Sequence, residues 1–152
     1  ITRERPWQVR FIELMPSGSY LELSATQFFS GLEALTRLRG MVRLEPVEGP
    51  WGNGPATYYR FPGAPGTVGV ITPMSHSYCE RCNRMRLTAD GQFRTCLFAT
   101  DEFDLRAALR GGETDDQIAA RIEAAVGTKW AGHQINQVNF VRPQRSMSQI
   151  GG

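Results

Sequence analysis

Cysteine placement constrains this chain more than any other feature. The three cysteines stand as Cys79-Glu-Arg-Cys82 and, after thirteen intervening residues, Cys96. An odd number argues against a disulfide framework. Two thiolates at this spacing can share one metal, with the third arriving after a hairpin. Asn83-Arg84-Met85-Arg86 follows the pair directly. Guanidinium groups grip phosphates with a planar fork, and thiolates bind soft metals, so the segment points to a metal beside a phosphate site. Three core cysteines without a metal are the plain alternative, but Cys-x-x-Cys followed at once by Arg is a poor core pattern.

Asp90-Gly91 is a turn signal between Met85-Arg-Leu-Thr88 and Gln92-Phe-Arg-Thr-Cys96. Two registers are open. A two-residue loop pairs Met85 with Cys96 and puts Arg84 and Arg86 on the opposite face. A three-residue loop, Ala89 to Gly91, pairs Arg84 with Cys96, so that metal and arginines share a face. The phosphate reading favours the second. Spacing does not choose the metal. A structural zinc would need His76 as fourth ligand, whereas a cubane iron–sulfur cluster on three thiolates leaves one iron open to a substrate atom.

Hydrophobic residues make up 41% of the 152 and charged residues 21%, which suits a soluble globular chain with a core. A net charge of +2 gives no case for nucleic acid. No apolar run approaches the length of a membrane span, so no membrane partner is expected. Thiolates of this kind suit a reduced, cytoplasmic compartment. Sixteen Arg stand against one Lys, Lys129, a bias that a GC-rich genome explains as well as phosphate binding does. The chain opens at Ile1, close to the strand-like Gln8-Val-Arg-Phe-Ile-Glu-Leu-Met15, and reads as the later part of a longer protein.

The pattern predicts a strand over 8–15. A helix is predicted from the capping box Ser24-Ala-Thr-Gln27 to Gly40, with Phe28, Leu32 and Leu35 on one stripe. A short strand is expected within 41–47, then a Gly/Pro-rich loop around Trp51. Strands over 56–61 and 67–72 follow. A helix is expected from Asp101 to Leu109. Another opens at the capping box Thr114-Asp-Asp-Gln117 and packs Ile118, Ile122 and Val126. The last 25 residues are polar and weakly patterned.

Tyr78-Cys-Glu-Arg-Cys-Asn-Arg-Met-Arg-Leu-Thr-Ala-Asp-Gly91, followed by Arg94-Thr-Cys-Leu-Phe98, resembles the C-terminal cluster motif of the GTP 3′,8-cyclases (the MoaA family) of molybdenum cofactor biosynthesis. Arg10-Phe-Ile-Glu13 with Met15, Gly54-Pro-Ala-Thr-Tyr-Tyr59, Asp104-Leu-Arg-Ala-Ala-Leu-Arg110 and the terminal Gly151-Gly152 agree with it. Tyr78 and Trp130 depart from it, at positions where Phe and Pro are expected.

The resemblance implies an α/β chain: the last strand of an incomplete TIM-type barrel at 1–15, and an α+β C-terminal iron–sulfur domain over 16–152. It implies that Cys79, Cys82 and Cys96 ligate a 4Fe-4S cluster that binds GTP through its open iron. It also implies that Arg84, Met85 and Arg86 lie at the GTP site, that Arg10 is a further triphosphate contact, and that Met15 touches S-adenosylmethionine. The Gly151-Gly152 tail would enter the active site; a ubiquitin-like activated C-terminus is the other functional reading. The implied reaction is radical cyclisation of GTP to (8S)-3′,8-cyclo-7,8-dihydroguanosine 5′-triphosphate, and the full-length protein is expected to be a homodimer. The family's first-cluster motif, Cys-x-x-x-Cys-x-x-Cys, is not in these residues, so this stretch alone is expected to be inactive. A zinc-binding interaction module is the rival reading.

Overall fold

The computed structural model describes residues 1–16, 26–49, 54–135, 137, 138 and 140–150. Its architecture is α/β, and its contacts divide into two units. The first holds Ile1–Met15 and Glu22–Cys82, the second Pro16–Leu21 and Asn83–Gly152.

The first unit is built on a mixed four-stranded sheet. Strand β1 (Gln8–Ile12) runs parallel to β4 (Thr67–Ile71), with Gln8 opposite Thr67 and Ile12 opposite Ile71. Strands β3 (Thr57–Arg60) and β2 (Glu45–Val47) continue the sheet antiparallel, in the order β1-β4-β3-β2. All five residues of β4 are buried, as its near-continuous apolar run demands of a strand covered on both faces. Helix α1 (Gly31–Met41) packs on β4 and β1. Its first residue has to be glycine, because a Cβ there would lie 2.6 Å from Val70 Cγ1 and 2.7 Å from Thr72 Cγ2.

Several expectations shift here. Ser24 and Trp51 lie outside the described residues. The helix expected from the Ser24 capping box is instead capped by Ser30, whose hydroxyl accepts the Glu33 N–H at 3.1 Å. Phe28 precedes the helix and is exposed, as is Leu32; of the predicted stripe only Leu35 is buried. Met41 ends this helix, and the strand predicted within 41–47 is only three residues long. That strand lies on the sheet edge, where Pro46 costs no ladder bond. Both strands predicted over 56–61 and 67–72 are present.

In the second unit, β5 (Arg86–Leu87), β6 (Gln92–Arg94) and β7 (Phe103–Asp104) form an antiparallel sheet. Phe93, Leu105 and Ala125 form its core, flanked by Phe103 and Ile122. The helix predicted from Asp101 begins later. Phe103 pairs with Phe93, and Asp104 caps α2 (Leu105–Arg110) by accepting the Ala107 N–H at 2.8 Å. Helix α3 (Asp115–Gly127) opens with the predicted reciprocal box. The Gln117 N–H donates to Thr114 Oγ1, and the Thr114 N–H donates to Gln117 Oε1. Its buried face differs from the predicted stripe: Ala125 is fully buried and Val126 is exposed. Among the described residues no helix is long and apolar enough to cross a membrane.

Candidate functional site

In the first unit, Cys79 opens a 3-10 turn, Cys79–Arg81, and Cys82 closes it by donating its N–H to the Cys79 carbonyl at 3.0 Å. The Arg81 N–H donates to the Tyr78 carbonyl at 3.1 Å, and the Cys79 N–H to Ser77 Oγ at 3.2 Å. Both cysteines are half-buried. His76 is exposed, with its backbone turned onto Thr72: its N–H donates to the Thr72 carbonyl, and Thr72 Oγ1 donates to its carbonyl.

The loop before this turn rests on Glu13, which is 2% exposed. Oε1 accepts the Gly31 N–H at 2.8 Å and the Ser75 hydroxyl; Oε2 accepts the N–H groups of Met74 and Ser75 at 2.8 and 2.9 Å. Burial alone would raise the pKa of this carboxyl. The bonds from Ser75, Gly31 and Met74 outweigh it and hold Glu13 below its ordinary value, as donors aimed at a carboxylate do. Two residues on, Met15 is half-buried. On β1, Arg10 donates to Gln8 Oε1 at 2.9 Å and lays its guanidinium 5.6 Å from the Tyr58 ring centroid. Gly69 pairs with both Arg10 and Tyr58. Without a side chain it leaves the space through which Arg10 reaches that ring.

In the second unit the hairpin takes the three-residue-loop register. Arg86 lies opposite Arg94 and Leu87 opposite Phe93, leaving Ala89, Asp90 and Gly91 as the loop, with Gly91 at φ +83°. The ladder ends at the Arg86–Arg94 pair, and the chain bends at Thr95 and Cys96. Lys129, just past α3, secures this end: its ammonium donates to the Arg84 carbonyl at 2.8 Å and to the Thr95 carbonyl. Arg84 and Met85 are exposed, while Arg86 and Cys96 are half-buried.

A second cluster on this unit lies outside every sequence expectation. Arg94, 2% exposed, pairs with Glu102 and donates to the Ala99 carbonyl. Arg145 donates to both oxygens of Glu102, at 2.6 and 3.0 Å, and to Asp90 Oδ2 at 2.8 Å. Arg145 therefore lowers both carboxyls, bringing Asp90 to about 2, and its own pKa rises. A cavity of about 680 Å³ lies against Arg94, Glu102, Arg142 and Arg145.

Among the described residues no group of three or more His, Cys, Asp or Glu side chains is gathered as a metal site. Cys79 and Cys82 belong to the first unit and Cys96 to the second. All three are thiols outside any disulfide and half-accessible. As a donor set, three such thiols match a cubane cluster with one iron left open. Gly151 and Gly152 lie outside the described residues. The sequence reading missed Glu13, Lys129, Glu102 and Arg145. Lys129 had a signal, as the single lysine of the chain; Glu13 had one as an acid closing an apolar strand.

A family model described as Molybdenum Cofactor Synthesis C matches residues 7–135. The chain is 45% identical to a protein of Mycobacterium tuberculosis named GTP 3′,8-cyclase 2, over 98% of this chain and 42% of that protein. Against proteins named GTP 3′,8-cyclase, it is 44% identical in Moorella thermoacetica and 45% in Pelotomaculum thermopropionicum. Both matches cover 100% of this chain and 46% of the relative. The chain thus spans less than half the length of these relatives, matching their C-terminal part.

Proposed function

The chain belongs to the Molybdenum Cofactor Synthesis C family, and on that premise we propose that it forms the C-terminal, GTP-binding part of a GTP 3′,8-cyclase. In this reading residues 1–15 supply the last strand of a TIM-type barrel. The position of β1 at the sheet edge, parallel to β4, supports that assignment. Cys79, Cys82 and Cys96 would hold a 4Fe-4S cluster, and that group when bound would supply one iron without a protein ligand as an acceptor for an atom of the purine.

The chain's own residues bind and orient. Arg84 and Arg86 offer charge-assisted hydrogen bonds to the triphosphate, with Met85 between them. Lys129 holds the backbone on which Arg84 and Cys96 are carried, so the nucleotide meets a fixed donor set rather than a mobile strand end. Arg10, at the middle of β1, would be a further contact to the phosphates, and Met15, three residues past its end, would touch S-adenosylmethionine. Gly151-Gly152, slim enough for close backbone approach, orders the reacting ribose. The complete protein converts GTP to (8S)-3′,8-cyclo-7,8-dihydroguanosine 5′-triphosphate.

The observation that carries this reading is the hairpin register, which with Lys129 brings the Arg84 segment alongside that of Cys96. Binding measurements on the reconstituted full-length protein test it. Arg84→Ala or Arg86→Ala is expected to weaken GTP at least tenfold, about 1.4 kcal/mol, and guanosine far less, because the lost bonds are to phosphate. Equal losses for the two ligands would show the arginines acting on the fold instead.

A further inference from the structure

The segment that delivers Cys79 and Cys82 has no ladder to fix it. It leaves β4 at Ile71 and runs through Pro73, Met74, Ser75, His76 and Ser77 before the 3-10 turn begins. Ser75, His76 and Ser77 are exposed. A surface loop of this kind is ordinarily among the first parts of a protein to open. A metal site asks for the reverse, since ligands must be held where the metal needs them.

Glu13 supplies what the loop lacks. Its carboxylate accepts hydrogen bonds from the Met74 and Ser75 amides and the Ser75 hydroxyl, and from the first amide of α1 at Gly31. The sheet fixes Glu13 in turn: its own N–H donates to the Ile71 carbonyl at 3.2 Å. From Ser75 onward the support is continuous. Thr72 and His76 exchange two hydrogen bonds, Ser77 Oγ accepts the Cys79 N–H, and Cys82 closes the turn on Cys79. The four donors outweigh the cost of burying this charge, so the loop is held on an ionised carboxylate. Here three of the four donors belong to the loop that ends in the cysteine pair.

We propose that Glu13 is a positioning residue for the Cys79–Cys82 half of the metal site, holding that pair ready for the metal through the 72–78 loop. This rests on the metal reading of the cysteines and adds to it a residue of the first unit that ligates nothing. Losing an outer group that orients metal ligands typically lowers metal affinity by about 10- to 100-fold. Glutamine is the informative substitute. It keeps the size of Glu13 but turns an NH2 toward amide donors that need an acceptor.

The test uses full-length protein reconstituted anaerobically, with Cys79→Ser as the reference for a lost site. Iron, sulfide and zinc per chain are measured, along with the rate at which a chelator removes the metal; far-UV circular dichroism checks the fold. Glu13→Gln is expected to keep the fold, to lose metal roughly tenfold faster than the natural protein, and to approach the Cys79→Ser content. Glu13→Asp, which keeps the charge, is expected to retain more metal than Glu13→Gln. Should Glu13→Gln not fold, Ser75→Ala decides, because it removes one donor from an exposed position; its metal loss is expected to be several-fold faster. Natural metal content and release in a folded Glu13→Gln, or in Ser75→Ala where Glu13→Gln does not fold, would overturn the proposal. Zinc without sulfide in the natural protein would end the iron–sulfur reading but leave the positioning role standing, so long as Glu13→Gln releases that zinc faster.

Discussion

Replacing Glu102 by Gln should cost the second unit far more stability than its partly exposed position suggests. One carboxylate serves two guanidinium groups there, and one of them, Arg94, is 2% exposed. An arginine cannot shed its charge in a protein. Without Glu102, Arg94 keeps only the Ala99 carbonyl among its described partners. Breaking a fully buried pair by removing one partner costs about 3–5 kcal/mol. Glu102 is a quarter exposed and Arg145 keeps Asp90, so water and that second partner reduce the loss to about 2–3 kcal/mol. For a chain of this size that lowers the melting temperature by roughly 4–12 °C. Glu33→Gln is the control, because its pair with Arg37 is exposed on both sides and is worth about 0–1 kcal/mol. Urea unfolding, followed by amide exchange at Phe93 and Phe103, reads the unit directly. A Glu102→Gln loss no larger than that of Glu33→Gln would refute the reasoning. The double change Arg94→Met with Glu102→Met should recover at least half the loss, since apolar packing often replaces a buried pair without penalty.

Acid should act on the same cluster. The folded pKa of Asp90 is about 2 against an ordinary 3.8, so its stabilisation is complete above that ordinary value and is lost as pH falls through the interval between them. Asp90→Asn should flatten an acid titration of unfolding in that interval, and an unchanged curve would contradict the Arg145 contact. Gly91→Ala should destabilise more than Gly112→Ala. Both glycines have positive φ, near +80°, and share a left-handed penalty of about 1–2 kcal/mol. Only at Gly91 would the new Cβ meet a neighbour, at 2.5 Å from Arg106 Cβ. Equal melting temperatures for the two variants would show that Arg106 moves aside at no cost.

What the sequence made legible was local. Asp90-Gly91 marked the hairpin, and chemical reasoning about Arg84 and Cys96 favoured the register that is found. Thr114 and Gln117 marked the start of α3 because a capping box is complete within four residues. The misreadings come from tertiary competition. Asp101 could have opened a helix, but Phe103 pairs with Phe93 and leaves Asp104 to cap. Of Ile118, Ile122 and Val126, Ile122 packs on the core as its spacing predicts, but Val126 is exposed and α3 buries Ala125, where a small residue allows close approach to Phe93 and Leu105. Arg145 reaches 55 residues back to Asp90 and 43 back to Glu102. No periodicity encodes such a contact, and in a chain with sixteen arginines nothing set this one apart.

Glu13 and Lys129 answer one physical problem from opposite sides. A loop or strand end that presents metal or phosphate ligands must leave the regular ladder, and its backbone groups then need partners elsewhere. Glu13, in the first unit, collects amide donors from the loop before Cys79. Lys129, in the second, collects carbonyls on either side of the hairpin end, at Arg84 and Thr95. Their charges match the groups they gather: a carboxylate for N–H, an ammonium for C=O. The single lysine of the chain then has a reason to be lysine. Two converging carbonyls suit a compact ammonium with three rotatable donors, whereas the planar fork of arginine is shaped for carboxylate and phosphate. A chain with sixteen arginines keeps its one lysine where two backbone carbonyls converge, and Arg84 and Arg86 carry the side-chain geometry that fits an anion.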